Sequence, residues 1–193
     1  MTLHTQIYPK SKRGSGLTIE YGHVQYQGWD MIVGYVHKGL HNEAQKDAQN
    51  SVLCYANFNL DPDYIAHYYP QAKRVQQQDK VARQARIFFE NWMDNTSFQG
   101  DMYVEGSDFQ TQVWRQLLTI PANKNVSYAF VADKIGRPTS YRATANAIGA
   151  NPICIFIPCH RVIHSDGRIT GYSGGIENKK KLLNFEAKSN IYT

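Results

Sequence analysis

The feature that most constrains this 193-residue chain lies between residues 127 and 159. Ser127 can cap a helix carrying Ala129, Ala132 and Ile135, Gly136 can close it, and Pro138 blocks its continuation. A second helix is expected over residues 141–148, before Asn151-Pro152 breaks the chain. Two short helices joined by a tight glycine turn make a helix-turn-helix pattern. An apolar helix face precedes them, formed by Phe109, Val113, Trp114, Leu117 and Leu118 and ending near Pro121. After them, Ile153 to Ile157 reads as a buried strand ended by Pro158. The 141–148 helix is rich in small side chains, which let a backbone approach a neighbouring helix or a nucleic-acid backbone closely. Taken alone, that favours helix packing.

The remaining elements follow from simpler signals. Leu17, Ile19 and Tyr21 alternate with polar residues, as do Met31, Val33 and Tyr35, which predicts two strands; residues 51–58 suit a third. Residues 39–50 read as a loop, and Asp61-Pro62 as a helix start. Asp79 can cap a helix over about 80–94 with Val81, Ala85, Phe88, Phe89, Trp92 and Met93 near helical spacing. The polar stretch 95–106 contains the expected domain boundary. Near the C-terminus, Val162 to His164 and Arg168 to Thr170 flank a turn at Ser165-Asp166-Gly167, and a final helix covers about 177–187.

Net charge is +5, but residues 137–181 alone carry seven basic and two acidic residues, also +5. A polyanion would suit that surface, since each neutralised phosphate releases counterions. Charge by itself leaves a solvated basic face equally open. No apolar run is long enough to span a membrane, and residues 1–15 lack the apolar core of a signal peptide. Three cysteines, none in a CxxC pair, exclude a cysteine-rich zinc site and favour a reducing, cytoplasmic compartment.

Pro158-Cys159-His160-Arg161 is the segment richest in chemistry. Positive charge beside a thiol favours the nucleophilic thiolate. A water can link His160 to Cys159, and a carboxylate such as Glu186 can orient the imidazole. Taken singly, Cys159 reads as an inert core cysteine and Glu186 as a surface carboxylate, the commoner roles of these residues. Cys54 and Cys154 are assigned the inert role. His4, His23, His37, His41, His67 and His164 show no metal spacing.

Over roughly residues 107–187 the chain resembles the methylated-DNA–protein-cysteine methyltransferases of the bacterial Ada and Ogt types, which repair guanine alkylated at oxygen 6. The resemblance rests on Ile157-Pro158-Cys159-His160-Arg161-Val162, on Gly171-Tyr172-Ser173-Gly174-Gly175, and on Leu182-Leu183 with Glu186. Upstream it includes Phe109-Gln110, Val113-Trp114, Ile120-Pro121, Ser127-Tyr128, Ile135-Gly136, Arg142-Ala143 and Asn151-Pro152. The first half is only loosely similar, mainly at Leu17 to Tyr21 and around Tyr69-Pro70, and Tyr8 to Tyr21 resembles the junction after an Ada-type regulatory half.

The resemblance implies an α/β (α+β) fold: a flexible lead-in over 1–16, a small N-terminal sheet-and-helix domain over 17–100, and a C-terminal winged-helix-like DNA-binding domain over 101–193 carrying the active site. It implies that Cys159 accepts the alkyl group, His160 deprotonates it through a water, Glu186 orients His160, and Asn151 braces the turn. Tyr128 would donate to the guanine ring, and Arg142 would fill the gap left by the flipped nucleotide. Tyr172 and Ser173 would line the base pocket. Arg137, Tyr141, Ala143, Arg161 and Ser165 fall where the family touches DNA. The implied partner is double-stranded DNA containing O6-alkylguanine, with O4-alkylthymine a second candidate lesion, and the protein would act once, as a monomer. Some relatives bind zinc in the N-terminal half; with Cys54 alone there, no metal and no cofactor are expected. The family usually places an apolar residue where Thr144 stands. A lesion sensor without chemistry and an unrelated cysteine hydrolase are the competing readings. The acceptor cysteine argues against the first, and the basic helix-turn-helix against the second.

Overall fold

In the computed structural model, residues 5–9, 14–37, 51–95 and 101–189 are described. The chain divides into two compact units, Met1–Gly106 and Ser107–Thr193.

The first unit is a six-stranded mixed sheet with strands β1 (Thr5–Pro9), β2 (Thr18–Tyr26), β3 (Trp29–His37), β4 (Ser51–Asn57), β5 (Lys73–Gln76) and β6 (Met102–Gly106), in the order β1-β6-β4-β3-β2-β5. The hairpin β2–β3 and the pair β3–β4 are antiparallel, whereas β1–β6, β4–β6 and β2–β5 are parallel. The central strand β3 is buried from Met31 to Val36, because both faces of the sheet are covered. One face packs Ile19, Ile32, Val36, Val52, Cys54, Ile65 and Tyr69 into a core. The long helix α2 (Gln78–Asn95) buries Val81, Ala85, Phe89 and Trp92. It meets the other face through Tyr26–Phe89, Trp29–Trp92 and Tyr35–Phe88 ring contacts. Gly34 is required where the sheet is tightest, since a Cβ there would lie 3.0 Å from Ile19 and 3.2 Å from Tyr55. Asp61 caps a 3-10 turn, Pro62–Tyr64, which leads into the single-turn helix α1 (Ile65–Tyr68).

Two boundaries differ from expectation. Thr5–Pro9, within the expected lead-in, forms a strand parallel to β6. β6, placed by sequence in the second domain, pairs with β1 and β4, so the units divide at Gly106/Ser107 and not at residue 100. The expected loop over 39–50 lies outside the described residues.

The second unit is mainly helical: α3 (Asp108–Leu117), α4 (Tyr128–Lys134), α5 (Tyr141–Gly149) and α6 (Ile176–Ser189). A two-stranded parallel ribbon joins β7 (Val126–Ser127) and β8 (Val162–Ile163). Helix α3 starts with a reciprocal capping box between Ser107 and Gln110. Ser127 accepts from Phe130 N–H to cap α4, and Gly136 at φ +70° provides the left-handed turn after it. Val113, Trp114, Leu117, Val131, Ala132, Thr144, Ala147 and Ile148 are buried. Trp114 Nε1–H donates to the Ala147 carbonyl at 2.9 Å, satisfying one of the orphan acceptors at the end of α5. Thr144, Ala147 and Ile148 of α5 pack inward, while Tyr141, Arg142 and Ala143 stay exposed.

Candidate active site

Residues 153–157 are a buried turn and not the expected strand. The Ile157 N–H donates to the Ile153 carbonyl, and Ile155 sits at φ +73°, a region costly for a β-branched residue. Asn151 clamps this turn from inside. Its Oδ1 accepts from Ile153 N–H at 2.9 Å, and its Nδ2 reaches the Ile157 carbonyl at 2.9 Å and Cys159 Sγ at 3.0 Å. Cys159 opens the 3-10 turn Cys159–Arg161.

Behind Cys159 lies a buried polar network. His160 Nε2 is 2.8 Å from Glu186 Oε1. Arg161 grips the same carboxylate, Nε to Oε2 at 3.1 Å and Nη2 to Oε1 at 2.7 Å, and sends Nη1 to the Ile120 carbonyl at 2.6 Å. Burial pushes the Glu186 carboxyl up, but hydrogen bonds and charge from His160 and Arg161 outweigh it and hold it below its ordinary value. An ionised Glu186 accepts, so His160 Nε2 carries the proton and Nδ1 is the basic nitrogen. Nδ1 has no protein hydrogen-bond partner among the described residues. Burial, assisted by Arg161 and Lys179, keeps the imidazole neutral by lowering its pKa.

Arg161 therefore differs from expectation. It is buried against Glu186 and does not reach the surface where DNA contacts were placed. Lys179, counted by sequence among the basic surface, is buried too, donating from Nζ to the Val162 carbonyl at 2.6 Å and the Thr170 carbonyl at 3.1 Å. Its charge helps lower the Cys159 pKa. Spacing held the signal: Lys179, Leu182 and Glu186 stand at i, i+3 and i+7, one buried face of α6. Cys154, assigned to the inert core, has its Sγ 3.6 Å from Ser173 Oγ.

Cys159 borders a cavity of about 290 Å³ lined by Tyr128, Asn146, Ile148, Gly171, Tyr172 and Ser173, among others. Tyr128 OH donates to the Thr170 carbonyl at 3.3 Å. Burial and the Cys159 charge raise the pKa of Tyr128, and burial raises that of Tyr172 well above the ordinary phenol value, so both keep their protons as donors. Arg137, Tyr141, Arg142, Ala143 and Ser165 are exposed. Arg142 lies over the Tyr141 ring at 5.8 Å. Among the described residues no group of three or more His, Cys, Asp or Glu could hold a metal, and no helix is long and apolar enough to cross a membrane.

A buried thiol backed by histidine and glutamate, opening into a cavity beside a helix-turn-helix, defines a cysteine-dependent protein with a nucleic-acid-binding architecture. Residues 108–188 match the model for the 6-O-methylguanine DNA methyltransferase DNA-binding domain. The methylated-DNA–protein-cysteine methyltransferase of Mycobacterium tuberculosis H37Rv is 50% identical over 91 residues, 47% of this chain and 55% of that protein. The bifunctional activator and repair enzyme Ada of Escherichia coli is 46% identical over 86 residues, 45% of this chain and 24% of that protein. The chain thus aligns with about half the length, or less, of these curated relatives. Over a longer span, the structure of M. tuberculosis OGT in complex with DNA superposes with a TM-score of 0.65 at 30% identity, covering 88% of this chain and 94% of that one. The chain belongs to the O6-methylguanine DNA methyltransferase family.

Proposed function

We propose that this protein repairs DNA by direct reversal, moving the alkyl group from O6 of guanine in duplex DNA to its own Cys159. The observation that carries the reading is Cys159 on the cavity, followed in the chain by a buried His160 whose Nε2 is held by Glu186 and whose basic Nδ1 has no protein partner among the described residues.

The alkyl carbon lies on a base edge inside the stack, so the nucleotide must flip into the cavity at a cost of a few kcal/mol. Arg142, exposed at the start of α5, fills the gap and offsets part of that cost. Arg137, Tyr141, Ala143 and Ser165 hold the backbone, and the small Ala143 permits close approach in the minor groove. His160 Nδ1 takes the Cys159 proton through a water and becomes imidazolium, whose charge Glu186 balances. The thiolate displaces at carbon: the S–C bond forms as the C–O bond breaks, and both electrons of that bond leave with guanine. Tyr128 donates toward the ring and backbone N–H groups at Tyr172 and Ser173 toward the departing oxygen, stabilising the developing charge. Tyr172 closes the pocket wall. The guanine anion takes up one proton from solvent and the imidazolium gives one back to solvent, so the products are a thioether, an unmodified guanine and a neutral His160.

No group among the described residues can remove a thioether. Each molecule therefore acts once, and a monomer suffices. Free thiols at Cys54, Cys154 and Cys159 suit a reducing cytoplasm. Titration of a duplex containing one O6-methylguanine tests the stoichiometry: repaired lesion should rise linearly with protein and stop at one per molecule. Lesion turnover in excess of protein would overturn the reading. A duplex containing O4-methylthymine, run in parallel, decides whether that lesion is also accepted.

A further inference from the structure

We propose that Asn146 binds the flipped nucleotide at the rim of the Cys159 cavity, its side-chain amide donating to a phosphodiester oxygen beside the lesion. The inference rests on the reading of this cavity as the place where an alkylated guanine meets Cys159.

Helix α5 gives the cavity wall Ala145, Asn146, Ile148 and Gly149. Among these, Asn146 alone carries a polar side chain. The polar side chains that other elements bring to the wall are engaged with the protein. Tyr128 OH donates to the Thr170 carbonyl at 3.3 Å, Ser173 Oγ lies 3.6 Å from Cys154 Sγ, and the Lys179 ammonium stands over the Tyr172 ring at 6.0 Å. Asn146 differs. Its backbone carbonyl accepts from the Ala150 N–H at 3.0 Å, but its side-chain amide makes no hydrogen bond among the described residues. It is also exposed, which places it on the rim of the cavity and not in its floor. Three residues on, Gly149 is exposed as well, and a Cβ there would meet nothing within 4 Å, so the approach past Asn146 is open.

Its place on the rim selects the ligand. A guanine in the cavity turns its alkyl carbon toward Cys159 and its ring toward the enclosed walls. The sugar and phosphodiesters that tether it cross the rim. Asn146 follows Arg142 by four residues and is exposed like it. Side chains so spaced share one helix face, about 5–6 Å apart. With Arg142 in the gap left by the base, Asn146 falls on the strand that leads from the gap into the cavity. Phosphodiester oxygens are the charged acceptors of that strand. An amide N–H donating to one makes a charge-assisted bond and adds no net charge of its own. Such a contact fixes position and carries no sequence information, so it holds the flipped nucleotide whatever base pairs flank it.

The test compares the full-length parent protein with Asn146→Ala and Asn146→Asp. Methyl transfer is timed on an O6-methylguanine duplex, and on the same duplex with an uncharged methylphosphonate at the linkage on either side of the lesion. Loss of a hydrogen bond to a charged group is worth about tenfold, so Asn146→Ala should slow transfer from the natural duplex by that factor at limiting concentration. Asn146→Asp keeps the shape but sets an anion against the phosphate, and should be slower than Asn146→Ala by about a further fivefold. One of the two methylphosphonates should slow the parent by a larger factor than it slows Asn146→Ala, the non-additivity of a direct contact. Iodoacetamide alkylation of Cys159, followed by peptide mass, should stay within about twofold of the parent in both variants, because the substituted residue is exposed. Asn146→Ala transferring at the parent rate would overturn the inference. So would Asn146→Asp faster than Asn146→Ala, the sign of an acceptor facing a base amino group, or equal slowing of parent and Asn146→Ala by both methylphosphonates. A loss in alkylation as large as the loss in transfer would mark disturbed packing and overturn it too. If the parent itself alkylates with iodoacetamide but transfers no methyl group from the natural duplex, it is the functional reading that fails.

Discussion

At the residue scale, Glu186 is the pivot. It is shared by His160 and Arg161, and all three are buried. Removing one partner of a buried ion pair leaves the other charge uncompensated, at about 3–5 kcal/mol. Arg161→Ala should therefore lower the urea midpoint strongly. Arg142→Ala should not, because Arg142 is exposed and such substitutions usually stay within about 0.5 kcal/mol. The second variant should instead slow transfer from duplex DNA by about tenfold or more, as filling the flipped-out gap is worth at least about 1.4 kcal/mol. An Arg161→Ala protein that is fully stable but weak on DNA would restore its placement at the DNA surface. The pH dependence follows from the same cluster. His160 and Glu186 both have folded pKa values below their ordinary 6.5 and 4.5. The unfolded chain then binds more protons, so their stabilisation is complete above the ordinary values and is lost as pH falls through the folded ones. Thermal midpoints should decline as pH drops below about 6.5; a midpoint constant from neutrality to about pH 4 would contradict the network.

At the element scale, Thr144 on α5 is fully buried and its hydroxyl has no hydrogen-bond partner among the described residues. Thr144→Val keeps the shape and removes an unsatisfied polar group worth about 1 kcal/mol or more, so it should raise the melting temperature by about 2–4 °C. A fall would mean that the hydroxyl is satisfied in solution. The helices were the most legible elements in the sequence, because capping residues and apolar periodicity are local signals. Asp61, Ser127 and Gly136 act as their types predict. The turn at 153–157 was not legible. A continuous apolar run is consistent with a strand, and only the Asn151 clamp, made by a residue outside the run, bends it. β6 was misplaced for a related reason: its partners β1 and β4 lie far away in sequence. In the site, Cys159, His160 and Glu186 were recognisable by motif, and His160 and Glu186 lie in contact. Burial of Arg161 and Lys179 was not, since basic residues default to the surface until a carboxylate or a set of carbonyls is seen to claim them.

At the scale of the whole molecule, burial of these two residues reduces the basic surface. Of the seven basic residues within 137–181, Arg137, Arg142, Arg168, Lys180 and Lys181 remain exposed. Arg168 pairs with Asp166 and Lys180 with Glu177. DNA affinity should then depend on few phosphate contacts and show a shallow salt dependence. Arg137→Ala, if Arg137 meets a phosphate, should reduce the slope of log affinity against log salt by about 0.9 without changing lesion preference. An unchanged slope would remove Arg137 from the interface. The central claim is a covalent one: the alkyl group ends on one particular sulphur. Intact mass and peptide mapping after incubation with a duplex carrying a single O6-methylguanine test it most directly. One added methyl group per protein is expected, located on the peptide containing Cys159, with matching loss of the lesion. Lesion binding with no change in mass, or methylation at Cys54 or Cys154 in its place, would contradict it.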